Sequence, residues 1–297
     1  MATLRELKTR ISSVASSEKI TGAMKMISSA KVHKNEQALR KLLPFKEQIQ
    51  TIMGHILSSD STFESPLIEN RDVKKIGVVV FGSDDGLCGA YNMNIFKFLL
   101  IELNWIREKY GRNVDITLFP VGKKIAKAVS ILENEKVKIK TVDGVNSKME
   151  GDKVGEFTDI LRTGFLEGDM DLVKVVYMKF FSISRQKAVC DTIFPVSQEV
   201  LMAEAGKEGV NENQMYIFEP DPNRIFNEVL PMFVLSTMQE ITIENRASEQ
   251  AARVMAMQAA NDNAKKLNDE LKLEYNKLRQ QSITTELLDI IGGQVER

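Results

Sequence analysis

The two ends of the chain carry apolar residues at helical spacing. Residues 3–43 contain no proline and a single glycine, and apolar side chains recur there at Leu4, Leu7, Ile11, Val14, Ile20, Met24 and Ile27. A strict heptad would place Glu18 and Thr21 on the apolar seam, so the drifting stripe predicts a fairly straight helix. We expect Pro44 to kink or interrupt this helix before the spacing resumes towards residue 57.

The second helical pattern lies between Pro231 and Gly292. It contains neither proline nor glycine across about 60 residues, which at about 1.5 Å per residue would form a helix roughly 90 Å long. Such a helix cannot bury its apolar face against one compact domain, so it needs a second helix or a partner protein. Small residues in this segment permit close approach of another helix: Ala247, Ala251, Ala252, Ala256, Ala259, Ala260 and Ala264.

The N-terminal helix is the expected partner of the C-terminal one. Residues 1–50 carry ten basic and four acidic side chains, whereas the C-terminal segment is slightly acidic. Opposite charge favours their pairing, although each exposed ion pair is worth only about 0–1 kcal/mol.

Short apolar runs alternate with helical patterns in the middle of the chain. Strands are predicted at 75–81, 115–120 and 136–142, helices at 92–108, 123–132 and 155–165, and a hairpin at 171–182 and 188–196. This alternation is typical of an α/β fold, here a Rossmann-like domain with a mostly parallel sheet and an antiparallel edge. The predicted organisation is coiled-coil helices at 1–58 and 226–297, a central α/β domain at 75–200, and a connecting segment at 201–225 with a loop at 203–213.

Composition and charge narrow the class of protein. The 297 residues have a net charge of −1 and are 43% hydrophobic, which is typical of a soluble globular chain and indicates no polyanionic partner. The basic N-terminal helix has no aromatic residue before Phe45, so nucleic-acid binding is not expected. No apolar run approaches the roughly 20 residues that cross a bilayer, and the start lacks an apolar signal core. Membrane association is therefore expected only through partners.

Few residues could carry chemistry. Cys88 and Cys190 lie far apart, which indicates neither a disulfide framework nor a zinc ribbon and fits a reducing compartment. His33 and His55 have no paired carboxylate or thiol at ligand spacing. We expect solvated helix-face histidines, and no metal or cofactor.

The motif GSDDGLCG, at 82–89, follows the first predicted strand and precedes a helix. A phosphate-binding loop would occupy this position, but the motif lacks the G-K-[ST] ending and does not match G-x-G-x-x-G. Asp84 and Asp85 would also repel phosphate. A structural turn or a partner-contact loop is therefore favoured over a nucleotide site, and Cys88 is expected to be a small buried residue more than a reactive thiol.

Four ordered elements resemble the gamma subunits of F-type ATP synthases. The first is RISSVASSEKITGAMKMISSAK, at 10–31, and the second is ASEQAARVMAMQAANDNA, at 247–264, continued by YNKLRQQSITTELLDIIGG, at 275–293. SDDGLCG, at 83–89, and FEP, at 218–220, also match the family's pattern. The resemblance covers nearly the whole chain.

The resemblance implies an antiparallel coiled coil of the two terminal helices inside a ring of three alpha and three beta subunits. The α/β domain would meet the epsilon subunit and the ring of c subunits. Such a chain is a rotor shaft with no catalytic site of its own, present in one copy per complex. For a bacterial protein the place would be the cytoplasmic face of the inner membrane, as a peripheral subunit.

The family's contact positions carry over onto residues of this sequence. Met24 matches a methionine that faces the lever of the beta subunit, and the polar shaft positions that hydrogen-bond beta-subunit loops match Arg279, Gln280 and Thr284. The helix tip that would enter the hydrophobic sleeve of the ring carries Ile283, Leu287 and Ile291. The expected contact loop contains Asp84, Gly86, Leu87, Cys88 and Gly89.

Some positions depart from the family's pattern, and two rival functions remain. Gly22 stands where a longer polar residue is usual, Asp85 replaces a common basic residue, and the end at 294–297 is more polar than usual. The rivals are a coiled-coil homodimeric scaffold and a nucleotide-binding regulator that uses the loop at 82–89.

Overall fold

The computed structural model describes residues 3–57, 63–197, 201 and 218–295. Within these ranges the chain divides into two compact units, one formed by residues 3–29 with 253–295 and the other by residues 30–252. The first and last helices contribute residues to both units. None of the described helices is both long and apolar enough to cross a bilayer.

The larger unit contains a sheet that the described residues build from five strands. In chain order the elements are α1 (Leu4–Leu57), β1 (Lys75–Phe81), α2 (Tyr91–Tyr110), β2 (Asp115–Val121), α3 (Lys123–Val129), a 3₁₀ turn (Ser130–Leu132), β3 (Val137–Ile139), α4 (Gly151–Leu166), β4 (Leu172–Ser182), β5 (Arg185–Phe194) and α5 (Pro222–Val295). The strand order is β3-β2-β1-β4-β5, in which the first four run parallel and β5 pairs antiparallel with β4. The predicted α/β fold class, with a mostly parallel sheet and long terminal helices, is confirmed.

The sheet separates two apolar layers, and β1 contributes to both because it lies at the centre of the sheet. Val79 and Phe81 face a core that contains residues of α4, α1 and α5. Val78 and Val80 face the opposite core, formed with α2 and α3. A strand buried on both faces reads as a continuous apolar run, which explains why the bounds of β1 are those predicted from KIGVVVF.

Two prolines lie inside helices, Pro44 in α1 and Pro231 in α5. The interruption expected at Pro44 does not occur, and α5 begins well before the proline-free stretch in the sequence. A proline inside a helix costs about 3 kcal/mol, whereas burying one large apolar side chain contributes about 1.5–3 kcal/mol. Several such side chains are buried in the turns around each proline: Ile49, Met53 and Ile56 in α1, and Phe226, Leu230 and Phe233 in α5. Tertiary packing therefore outweighs the local cost of the prolines.

The other predicted elements are present with shifted ends. β3 is shorter than the predicted strand at 136–142, and α4 begins at Gly151 before the predicted start at 155. The hairpin turn falls at Ile183 and Ser184, because β5 already begins at Arg185. The loop predicted at 203–213 lies outside the described residues.

In the smaller unit, the start of α1 packs against α5. Asn261 Nδ2 donates a hydrogen bond to the backbone oxygen of Glu18 over 2.7 Å. A Cβ at Gly22 would lie 3.3 Å from that amide nitrogen, so the glycine gives the asparagine room. In the larger unit Lys46 Nζ contacts Glu240 Oε2 at 2.6 Å. Each unit therefore contains a polar contact between α1 and α5.

Asn245 fixes α5 to the carboxyl ends of the central strands. Its Oδ1 accepts hydrogen bonds from the hydroxyl of Tyr91 at 2.6 Å and from the backbone nitrogen of Met178 at 3.4 Å. Its Nδ2 donates to the backbone oxygen of Gly82 at 3.3 Å. One turn further on, Ser248 Oγ donates to the Met178 oxygen at 2.8 Å. Asn245 is 1% exposed, so loss of its side chain would leave buried polar groups unsatisfied.

Glu244 is a buried carboxyl group in a cluster of charged side chains on α5, α1, β4 and β5. Burial raises the pKa of Glu244 from 4.5 to about 7. Lys179 and Lys46 oppose this rise, whereas the carboxylates of Glu240 and Asp191 add to it. The charged form of Glu244 is therefore less favourable in the folded chain than in the unfolded chain.

We predict that Asn245→Ala lowers the free energy of unfolding by about 2–4 kcal/mol, because it removes three buried hydrogen bonds at once. Chemical denaturation of the full chain measures the effect. The matched control is Asn263→Ala, at an exposed position of the same helix, which should change stability by less than about 0.5 kcal/mol. Equal effects of the two substitutions would contradict the role of Asn245.

We also predict that Glu244→Gln stabilises the chain in a pH-dependent way. Below pH 4.5 the carboxyl group is protonated in both folded and unfolded chains, so the substitution has little effect. As pH rises through about 7, ionisation costs the folded wild type stability that the glutamine variant keeps. Denaturation at pH 4 and pH 8 should show a relative gain on the order of 1–3 kcal/mol at the higher pH. Glu228→Gln, exposed on the same helix, should show no such dependence, and a pH-independent effect of Glu244→Gln would refute the account.

Candidate functional site

The loop at 82–89 is held from within by the chain itself. Gly82 N donates to the Val121 oxygen at 2.9 Å, and a Cβ at Gly82 would lie 2.4 Å from Ile125 Cβ, so only glycine fits. Ser83 is fully buried, its backbone nitrogen donating to Asn92 Oδ1 at 3.0 Å and its hydroxyl accepting from Asn92 Nδ2 at 2.7 Å. The start of the motif is therefore a structural turn between β1 and α2.

The carboxylate of Asp84 accepts three hydrogen bonds that hold this turn. Its Oδ2 accepts from the backbone nitrogen of Ser147 at 3.1 Å and from the Ser147 hydroxyl at 2.9 Å. Its Oδ1 accepts from the backbone nitrogen of Lys123, the first residue of α3, at 3.0 Å. A bound phosphate would need the same donors, so an internal carboxylate already occupies the position that a nucleotide-binding loop would offer.

Three loop residues face outward. Leu87 is 62% exposed and has a φ of +64°, a backbone conformation that costs a non-glycine residue on the order of 1–3 kcal/mol. Asp85 Oδ2 pairs with Lys148 Nζ at 2.8 Å, and this hydrogen bond raises the pKa of Lys148. The pair is more than half exposed, so it adds little stability. Gly89, with a φ of +60°, is also exposed.

Two other residues of the predicted contact loop are less accessible. Cys88 is 3% exposed, and its sulfur lies 3.6 Å from Asn92 Nδ2 and 3.7 Å from Ser83 Oγ. Gly86 is half-buried, with Lys124 Cε 3.9 Å from where its Cβ would be. Cys88 is thus the small buried residue expected, and the loop presents Leu87 as its outward apolar side chain.

The predicted shaft contacts lie in the smaller unit. Met24 is half-buried on α1, whereas Arg279 and Gln280 are exposed on α5. The Thr284 hydroxyl donates to the Gln280 backbone oxygen at 2.9 Å, so it bonds within its own helix and leaves the two longer side chains outward.

An exposed apolar band covers the end of α5. Its described members are each about half or more exposed: Ile283 at 49%, Leu287 at 54%, Leu288 at 64%, Ile290 at 62% and Ile291 at 59%. Sequence reasoning singled out one stripe of this band and missed Leu288 and Ile290. The signal was present, since at about 100° per residue the five apolar residues of this nine-residue window cover an arc of about 160°, which is wider than the predicted stripe. A broad exposed apolar arc indicates contact with a partner.

The described residues contain no group of three or more His, Cys, Asp or Glu side chains placed to hold a metal ion. His33, as expected, is exposed on α1 and contacts only neighbours on its own helix, Gln37 at 3.1 Å and Glu36 at 3.9 Å. The two features that remain candidates are therefore surfaces: the outward part of the loop and the end of α5.

Comparison with known sequences identifies the family of the chain. A family model described as ATP synthase matches residues 3–295. The ATP synthase gamma chain of Bacteroides thetaiotaomicron is 38% identical over 302 residues, covering 100% of both chains. That of Histophilus somni is 35% identical over 295 residues, covering 99% of both.

Solved structures share the fold at lower identity. The rotor of Euglena gracilis mitochondrial ATP synthase gives a TM-score of 0.60 at 18% identity, covering 94% of this chain and 98% of that one. The central stalk and c-ring structure of the Tetrahymena thermophila mitochondrial enzyme gives 0.56 at 21% identity, covering 81% and 99%. These structures share the fold of this chain, the sequence relatives match it from end to end, and the chain belongs to the gamma-chain family of ATP synthases.

Proposed function

We propose that this chain is the central rotor shaft of an F-type ATP synthase, coupling ion flow through the membrane sector to ATP synthesis or hydrolysis in the alpha and beta subunits. The observation that carries the proposal is the end of α5, where a paired helix continues into a band of five exposed apolar side chains. Such a band is unfavourable in water and favours an apolar sleeve around it. The end-to-end gamma-chain relatives support the same role.

The mechanism follows from symmetry. A pair of helices has no threefold axis, so inside a ring of three alpha and three beta subunits it presents a different face to each beta subunit. Each face favours a different open or closed state, and rotation changes which subunit is favoured. The chain acts on catalysis through this bias and contributes no catalytic residue. The hydrogen bonds of the Asp84 carboxylate support this view, because they occupy the one loop that resembled a nucleotide site.

The proposed contacts fall on the surfaces described above. Met24 faces the lever of a beta subunit, while Arg279 and Gln280 bond to beta-subunit loops. The tip residues enter the sleeve of the ring, and Leu87 carries the loop contact with a neighbouring subunit. The exposure of Leu87 together with its unfavourable φ supports that contact, since a large apolar side chain held outward at a cost is typical of a binding site.

The proposed partners are the alpha, beta, epsilon and c-ring subunits, with one copy of this chain per complex. The proposed place is the cytoplasmic face of a bacterial inner membrane, where the chain is peripheral. Its similarity to gamma chains of Bacteroides and Histophilus supports the bacterial assignment.

Affinity purification of the tagged chain from native membranes tests this function. The shaft predicts that three alpha and three beta chains accompany each copy. A homodimeric scaffold would instead give a symmetric dimer at micromolar concentration without these partners. A nucleotide-binding regulator would give saturable ATP binding that depends on the loop at 82–89, and either of these results would reject the shaft.

Met24→Lys is predicted to impair coupling in the assembled enzyme. The added ammonium group would form a charge-assisted contact with the beta-subunit lever and hold the shaft in one orientation. We expect a several-fold drop in ions pumped per ATP hydrolysed, measured in reconstituted vesicles. Met26→Lys is the matched control, since Met26 is 69% exposed and points away from Met24 around α1. Unchanged pumping efficiency in Met24→Lys would remove the proposed contact.

A further inference from the structure

The larger unit contains a cavity of about 700 Å³ that the shaft function does not use. Its walls come from three places: α1 between Lys31 and Lys41, α5 between Gln239 and Gln250, and the loop from Ser147 into the first turn of α4. This volume lies within the range of small-molecule sites, about 300–1,000 Å³. We call it the basic cavity because of the side chains described next.

Cations predominate around the basic cavity. Two carboxylates line it, those of Glu150 and Glu249. Among the described residues, the basic side chains that line it number five: Lys31, Lys34, Lys41, Lys148 and Arg246. The three lysines of α1 are three and ten residues apart, so they lie on one face of the helix. Clefts lined by one sign of charge concentrate ligands of the opposite sign.

Arg246 lines the basic cavity and carries a guanidinium nitrogen without a hydrogen-bond partner in the part of the chain that the structure describes. Its Nε donates to the backbone oxygen of Ser147 at 3.0 Å, which fixes the guanidinium plane. Its Nη2 is buried and has no hydrogen-bond partner among the described residues. Burial lowers the pKa of Arg246, and the nearby carboxylates of Glu150 and Glu249 oppose this shift. A buried guanidinium nitrogen without a partner is costly, and an anionic oxygen is its best partner.

The N-terminus of α4 lines the same cavity. Gly151 is the first residue of this 16-residue helix, and the side chain of Glu150 at the N-cap makes no capping hydrogen bond. The first turn of a helix carries a partial positive charge and inward-pointing amide groups that bind anions. The Ser147 hydroxyl donates a hydrogen bond to Asp84 Oδ2 at 2.9 Å, which holds the loop before this terminus.

From these features we propose that the basic cavity binds a small phosphate-bearing anion. A phosphoryl group would accept hydrogen bonds from the Arg246 guanidinium and lie at the start of α4, with the lysines of α1 neutralising further negative charge. Such a ligand would connect α1, α5 and the α/β domain, and so would stabilise the folded chain by mass action. This inference is independent of the shaft function.

Inorganic pyrophosphate is the probe, titrated into the full chain by calorimetry in the absence of alpha and beta subunits, which have nucleotide sites of their own. We expect saturable one-to-one binding. Arg246→Gln should weaken it by about tenfold or more, whereas Arg162→Gln, on the surface of α4 outside the cavity, should leave it unchanged. Lys34→Gln with Lys41→Gln at exposed positions should also weaken it, so the proposal stays testable if Arg246→Gln does not fold.

ATP serves as a second arm that separates two sources of the phosphate group. Equal affinity for ATP and pyrophosphate would support recognition of the phosphates alone, and tighter ATP binding, still lost in Arg246→Gln, would identify a nucleotide as the ligand. Absence of saturable binding to the wild type would overturn the proposal. So would binding unaffected by the Arg246 and lysine substitutions, or binding of a glutamate-rich peptide without binding of pyrophosphate.

Discussion

The structure depends on what covers the apolar side of a 74-residue helix. No isolated helix of this length can bury such a surface by itself. The first part of α5 buries Phe226, Leu230 and Phe233 in the core that also contains residues of α1 and α4. Further along, α1 lies against it closely enough for Asn261 to reach the backbone of Glu18 across Gly22. The end of the helix has no such cover within the described residues, and its function follows from that.

The loop at 82–89 contains residues that hold the chain's own structure and residues that face outward. A Cβ does not fit at Gly82. The carboxylate of Asp84 bonds to α3 and to the loop before α4, and so joins both to the end of β1. Leu87 points outward with an unfavourable φ. Asp85 is held by Lys148 in an exposed ion pair of small energetic value. The glycine-rich pattern therefore reflects backbone geometry, and Leu87 is the apolar side chain that the loop exposes.

The sequence predicted those features that depend on local pattern. β1 was predicted with its observed bounds because burial on both faces leaves a continuous apolar run. That the helices continue through Pro44 and Pro231 was harder to predict, because local helix propensity opposes it. Only packing against residues distant in sequence stabilises these turns. The hydrogen bonds from Tyr91 to Asn245 and from Arg246 to Ser147 join residues distant in sequence, and no periodic pattern reports such contacts. Leu288 and Ile290 were overlooked because the apolar arc at the helix tip is broad, whereas a single stripe was sought.

A rotor shaft turns inside its ring. The direct measurement attaches a bead to the chain in a surface-immobilised complex with alpha and beta subunits and follows it while ATP is hydrolysed. The account predicts rotation in one direction with three equivalent dwell positions per turn. A complex that hydrolyses ATP while the bead stays at one angle would contradict it.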